Sequence, residues 1–191
     1  MVETEFRTKG NLLWSGEHWL AYLRRAGSDH PNTLLSLYHA YTSPAGRGTA
    51  AFVEIEGERG ISALCTDNTG FAQFVKETQV TASAPYDVEA PVVEARIEKG
   101  GDILVRPTWT VHAPEWVVRA SWWDLQTPLV GPPTAHPRIV FTILIFADRA
   151  AIELDGSPVL GQPYLRDAWI KNLGRPMSSC VFALAETMVT E

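Results

Sequence analysis

The sequence feature that most constrains the fold is a series of short apolar segments, rich in β-branched and aromatic residues, with turn-forming residues between them. They include IVFTILIFA at 139–147, TLLSLYHAYT at 33–42 and WVVRASWWDL at 116–125. The chain lacks the regular strand–helix alternation that a parallel doubly wound sheet requires. We therefore predict an all-β fold: a single antiparallel β-barrel over residues 1–191, calycin-like or cupin-like.

Two segments carry helix signals. At the N-terminal side, Ser15 stands at a capping position, Trp14 and Trp19 at the two staple positions, and Gly27 at a C-terminal stop. This pattern predicts a helix over residues 16–26 that packs on one end of the barrel. In DNTGFAQFVKE, residues 67–77, apolar residues at helical spacing predict a second, short helix.

Composition and charge exclude several partner classes. The formal net charge is −6 and the Lys and Arg residues form no basic stripe, which argues against a nucleic-acid partner. No apolar run approaches the roughly 18 residues of a membrane span, and the start MVETEFRTKG has no apolar secretory core. We expect a cytoplasmic protein without a membrane partner, with buried, reduced Cys65 and Cys180. The oligomeric state stays open, a homodimer included.

A cluster of tryptophans on consecutive predicted strands indicates either a core or an apolar pocket. Alternation along the strand at 116–123 places Trp116 and Trp122 on one face, and Arg119 and Trp123 on the other. A barrel of about eight strands can enclose one small ligand. The predicted substrate-binding residues are Trp109, Trp116, Trp122, Trp123, Tyr41 and Arg119.

His112 and Glu115 are polar groups within this aromatic neighbourhood. A histidine or carboxylate beside tryptophan rings has its charged form disfavoured, which suits acid–base work near neutral pH. We therefore predict His112 and Glu115 as catalytic residues. A packed His112 and a solvated Glu115 after Pro114 are the structural alternative.

The stretch GGDILVRPTWTVH, residues 100–112, resembles the second conserved motif of the cupin superfamily, through Gly101, Asp102, Pro107 and His112. The resemblance implies a small antiparallel barrel in which this histidine is a ligand of a divalent metal. From the residues alone, Gly100-Gly101 is expected to form a hairpin turn.

The matching first motif of two histidines is incomplete, since its best candidate has His39 followed by Tyr41 instead of a second histidine. If the chain is cupin-like, the metal ligands are His39, Glu54 and His112, a set typical of iron. Otherwise no metal or other cofactor is expected.

Three hypotheses for function follow. The first is a metal-independent enzyme of cyclase, isomerase or hydro-lyase type, acting on an apolar small molecule inside the barrel, in secondary metabolism for example. The second is a cupin-type metal-dependent dioxygenase. The third is a non-catalytic carrier of an apolar ligand.

Overall fold

The computed structural model describes residues 11–78, 87, 89–133 and 138–190, most of which lie in β-strands. The elements in chain order are β1 (Asn11–Leu23), β2 (Thr33–Thr42), β3 (Gly48–Ile55), β4 (Ile61–Thr66), α1 (Thr69–Thr78), β5 (Val92–Glu94), β6 (Arg96–Asp102), β7 (Arg106–His112), β8 (Val117–Leu125), β9 (Leu129–Val130), β10 (Arg138–Leu154), β11 (Ser157–Pro158), β12 (Leu165–Arg166), a 3₁₀ helix (Asp167–Trp169), α2 (Ile170–Leu173), β13 (Met177–Ser178) and β14 (Cys180–Thr190). The prediction of a mostly β protein is confirmed.

The main sheet has the strand order β5-β4-β3-β2-β1-β14-β10-β8-β7-β6. Neighbouring strands on this path are antiparallel, except that β4 and β5 are parallel. The strands at the two ends of this order, β5 and β6, follow one another in the chain with only Ala95 between them. The Ala95 N–H donates to the Thr66 carbonyl of β4 over 2.8 Å. The sheet is therefore curled, with an inner and an outer face, and its two edge strands are joined through Ala95.

The predicted N-terminal helix over 16–26 is wrong, because most of this segment belongs to strand β1. From Trp19 to Leu23 the residues of β1 are buried on both sheet faces: Trp19 packs in the inner core, whereas Leu20 and Tyr22 pack in an outer one. A strand that is covered on both faces does not alternate between apolar and polar residues, so this part of the sequence carried no strand signal. The capping and staple residues then favoured a helix. The approach of β1 to β2 requires glycine at position 16, since a Cβ there would lie 2.0 Å from the His39 carbonyl oxygen.

The inner face is filled by an aromatic core. The Trp19 ring stacks on Phe182 with centroids 4.1 Å apart and lies 5.1 Å from the Trp122 ring. The Trp122 Nε1–H donates to the Leu20 carbonyl over 2.9 Å. Trp19, Trp122 and Phe182 are all buried. The indole rings in this part of the sheet therefore serve as core and do not wall an open cavity.

The outer face of β2–β4 is covered by α1, which confirms the predicted short helix. Phe71 and Val75 are buried in a second core together with Phe52 of β3. The Asn68 side-chain oxygen accepts the Phe71 N–H over 3.1 Å and so caps the first turn. Within the described part of the chain, no helix is long and apolar enough to cross a membrane.

Candidate functional site

The tryptophans predicted to bind substrate lie on different faces of the sheet. Trp109 and Trp122 are buried on the inner face, and Trp116 packs against the same core from its edge. Trp123 lies on the outer face, where the Arg106 guanidinium stands 4.4 Å from its ring centroid. The sequence alternation over 116–123 was therefore assigned correctly, and only one of its two tryptophan series faces inward.

The outer face also holds Arg119, which is exposed and lies opposite Thr110 of β7 and Glu153 of β10. This places Arg119 away from the inner tryptophans with which the sequence grouped it.

His112 and Glu115 do not form a pair. The His112 Nε2 lies 3.0 Å from a carboxylate oxygen of Glu98, on the neighbouring strand β6. Glu115 is an exposed loop residue whose backbone oxygen accepts a hydrogen bond from Arg59. The acidic partner of His112 is thus Glu98, and Glu115 has no part in that arrangement.

The proposed metal set of His39, Glu54 and His112 is not brought together. His39 lies opposite Thr49 at one end of β3, and Glu54 follows Thr49 by five positions, about 17 Å along the strand at 3.3 Å per residue. That odd number of steps also puts Glu54 on the opposite sheet face. Among the residues that the structure describes, no three His, Cys, Asp or Glu side chains are grouped as a metal site.

The most notable polar group of the inner face is the carboxylate of Glu17, which is 4% exposed. The Lys99 Nζ lies 2.8 Å from both of its oxygens. The Trp19 Nε1–H donates to Oε2 over 2.8 Å, and the Tyr41 hydroxyl donates to Oε1. Glu17 comes from β1, Tyr41 from β2 and Lys99 from the edge strand β6, so the cluster links strands from separate parts of the curled sheet.

Aromatic rings enclose the ammonium group of this cluster. The Lys99 Nζ lies 5.3 Å from the Trp19 ring centroid and 5.8 Å from that of Trp109. The Trp109 Nε1 is buried and has no hydrogen-bond partner among the described residues. The Lys99 side chain is nevertheless 35% exposed and Tyr41 is 46% exposed, so the cluster lies where the aromatic core reaches solvent. We call Glu17, His39, Tyr41, Lys99 and Trp109 the mouth cluster.

His39 completes the mouth cluster as its titratable base. It lies directly opposite Glu17 across the β1–β2 ladder, and its ring centroid is 5.5 Å from that of Trp109. The Nδ1 atom lies 2.9 Å from the Thr49 hydroxyl, and Nε2 makes no hydrogen bond within the described part of the chain. His39 also lines an open cleft of about 1060 Å³ that Asp67 and His112 share.

The protonation states of the mouth cluster follow from burial and from its own hydrogen bonds. Burial acts to raise the pKa of the Glu17 carboxyl, but hydrogen bonds from Lys99, Tyr41 and Trp19 outweigh it and hold that pKa below its usual value. Burial and the bond to the Glu17 carboxylate raise the pKa of Tyr41 to about 12. Burial lowers the pKa of His39, against the opposing charges of Glu17 and Asp67. At neutral pH the site therefore holds a carboxylate, an unionised phenol and a neutral imidazole.

An exposed apolar surface adjoins the mouth cluster on the inner face. Phe141 is 48% and Ile143 44% exposed, although both share the face of β10 on which Ile145 packs against the aromatic core. Strand β14 lies between β10 and β1, so Ile143 is two strands from Glu17, about 10 Å at 4.8 Å per strand. The mouth cluster thus lies beside an apolar surface that the core does not cover.

Two members of the mouth cluster were missed by the sequence analysis. Glu17 was placed in a helix, and Lys99 was placed at the end of a hairpin expected to turn at Gly100-Gly101. Both glycines lie instead within β6, which continues to Asp102. A strand reading of residues 11–23 would have put Glu17 on the same face as Trp19, two residues away. Nothing in the sequence signals the contact between Glu17 and Lys99.

Comparison of the chain with protein-family models, with curated proteins and with solved structures gives no match. The function is therefore inferred from the chemistry of the mouth cluster.

Proposed function

We propose that this protein is an enzyme that performs acid–base chemistry on a small amphipathic molecule bound at the open end of the curled sheet. The observation that carries the proposal is the mouth cluster itself: a buried carboxylate, an ammonium group and a neutral imidazole, gathered beside exposed Phe141 and Ile143. Apolar walls with a few placed polar groups are the usual composition of a small-molecule site.

The roles of His39 and Lys99 follow from the hydrogen-bond donors and acceptors that the mouth cluster itself does not use. In the tautomer in which Nδ1 donates to Thr49, the His39 Nε2 carries a free lone pair and serves as the general base. Lys99 has three N–H donors, of which its contacts with the two Glu17 oxygens use two. The third is available to a substrate oxygen, on which negative charge develops when a neighbouring carbon loses a proton.

Glu17 and Tyr41 are positioning residues in this scheme. The carboxylate orients the Lys99 ammonium, and the Tyr41 hydroxyl satisfies one of its oxygens. Burying such an ion pair gives little stability compared with apolar packing of the same volume, which is consistent with its retention for chemistry. The reaction class is proton transfer, as in isomerases, cyclases and hydro-lyases, and uses only side chains of the chain itself.

For the fold, we propose that the sheet is a barrel of calycin-like type, closed where β5 leads into β6. The covalent link through Ala95 between the two edges supports this proposal.

The experiment uses 5-nitrobenzisoxazole, a small aromatic probe that a base opens by removing its C3 proton while the N–O bond breaks to give a coloured phenolate. The wild-type protein should turn over the probe, and His39→Gln should lower the rate by about 100-fold or more, the usual contribution of a positioned base. His30→Gln is the matched control, because His30 is 70% exposed and lies near Glu56.

Two further readouts separate the roles. The rate should fall as the pH drops through the lowered pKa of His39, and Lys99→Met should reduce kcat more than it changes KM. Equal rates in His39→Gln and His30→Gln would refute the enzyme proposal. Saturable binding of the probe without turnover would instead identify a carrier.

A further inference from the structure

A second cleft lies beyond the C-terminal end of β1, away from the mouth cluster. Residues 24–28 form one wall and residues 159–164 the other, and they enclose about 600 Å³. Arg24 follows Glu17 by seven positions, about 23 Å along an extended strand. The two clefts are therefore separate sites.

The walls of this cleft are held together by hydrogen bonds. Arg24 and Gln162 exchange both of their backbone N–H and carbonyl groups, each over 3.0 Å. The buried Asn32 side chain accepts the Arg25 N–H over 2.7 Å and donates to the Leu160 carbonyl over 2.9 Å. The shape of the cleft is thus fixed before any ligand arrives.

The charge of the cleft is positive, although the chain as a whole carries −6. Arg24 and Arg25 line it, and none of its described lining residues carries a carboxylate side chain. None of the ion pairs among the described residues involves Arg24, Arg25 or the nearby Arg166. Guanidinium groups that form no ion pair within the protein are suited to bind an oxyanion.

Both arginine side chains are already oriented. The Arg24 guanidinium stacks over the Tyr164 ring at 4.4 Å from its centroid. The Arg25 Nη2 donates to the Glu56 carbonyl over 3.0 Å, which leaves its other N–H groups available. Because stacking and anchoring restrict both side chains, a ligand that binds them orders little additional structure.

We propose that this cleft binds the phosphate group of a small phosphorylated molecule, with Arg24 and Arg25 as the phosphate ligands. A guanidinium held by its face to an aromatic ring keeps its N–H edge for bidentate contact with phosphate oxygens. The volume exceeds that of a phosphate ion, and Val159, Leu160 and Pro163 give the remaining wall an apolar character that suits an organic substituent.

The experiment measures binding of inorganic phosphate and of phenyl phosphate by isothermal titration calorimetry at constant ionic strength. Both should bind saturably and phenyl phosphate more tightly, whereas a site for free phosphate would bind both equally. Arg24→Gln and Arg25→Gln should each weaken binding by about tenfold, the usual loss for one charge-assisted hydrogen bond. Arg25 is exposed, so its replacement keeps the test valid if Arg24→Gln unfolds the chain.

Arg47→Gln is the matched control, since it removes one exposed positive charge that lines the other cleft. Its affinity for both probes should stay within about twofold of wild type, because a screened, distant charge contributes little. Absence of saturable binding, or an equal loss in all three variants, would overturn the proposal.

Discussion

Replacement of Glu17 by glutamine tests whether the buried ion pair of the mouth cluster is formed. Glutamine keeps the shape of the side chain but loses the charge that holds Lys99, Tyr41 and Trp19. Removing one partner of a fully buried pair costs about 3–5 kcal/mol. The Lys99 side chain is 35% exposed and recovers part of its hydration, so the expected loss is about 2–3 kcal/mol.

For a chain of this size, that loss corresponds to a fall in Tm of about 5–10 °C, measured by scanning calorimetry at pH 7. Because hydrogen bonds hold the folded-state pKa of Glu17 below its ordinary value of 4.5, the carboxylate stabilises the fold above that value. This contribution disappears as the pH falls through the folded-state pKa. The difference between wild type and Glu17→Gln should therefore shrink in acid.

Glu98→Gln is the matched control, because Glu98 is an exposed carboxylate with ion pairs to Arg96 and His112. Its loss should stay below about 1 kcal/mol at pH 7. Equal losses in the two variants, or a Glu17 effect that is unchanged in acid, would refute the account of the mouth cluster.

Three further predictions concern other parts of the chain. Gly16→Ala should destabilise the protein by about 3 kcal/mol in urea unfolding, because the added Cβ would meet the His39 carbonyl oxygen. In the control Gly60→Ala, the added Cβ would have its nearest neighbour at 3.6 Å, and stability should change by less than about 1 kcal/mol. Similar losses in the two variants would contradict the close approach of β1 and β2. Cys65 and Cys180, whose thiol pKa values burial raises to about 12, should resist alkylation by iodoacetamide at pH 8 until the chain is unfolded, and rapid labelling of the native protein would show that they are accessible. The Tyr41 phenol should stay protonated at pH 11, as followed by NMR of labelled tyrosine. Glu17→Gln should lower the pKa of Tyr41 toward 10, because the neighbouring negative charge is gone. An unchanged pKa would show that the carboxylate does not act on Tyr41.

The β class of the protein could be predicted from the sequence because its strand segments are rich in β-branched and aromatic residues between turn formers. Strands β2 and β8 lie close to the predicted segments 33–42 and 116–125, and α1 covers most of the predicted short helix over 67–77. The segment at 139–147 is also a strand, and it forms part of the longer strand β10, which continues to Leu154.

The first strand could not be recognised in the same way. Residues 19–23 are buried on both faces, so they lack the alternation that identifies a half-buried strand. Ser15 and Gly27 are residue types that also occur at helix ends, and they favoured a helix. In the structure, Gly27 lies in the turn after β1 and has a positive φ of 81°.

The site was predictable only in part, because its members meet through tertiary structure. Three members of the mouth cluster were candidate site residues in the sequence: Tyr41 and Trp109 were predicted to bind substrate, and His39 to bind a metal if the chain is cupin-like. Glu17 and Lys99 are 82 positions apart, and only the curling of the sheet brings them together. No local spacing in a single sequence can reveal such a pair.

The two edge strands that Ala95 joins have a consequence for aggregation. A sheet usually invites strand addition at its edges, where unpaired backbone groups form a template for another chain. Here one edge is β5, with three residues, and the other is β6, which carries Arg96, Glu98 and Lys99 within seven residues. A short strand and a charged one are both poor templates, so the native protein should resist edge-to-edge association even at high concentration, and fibril growth should require prior unfolding.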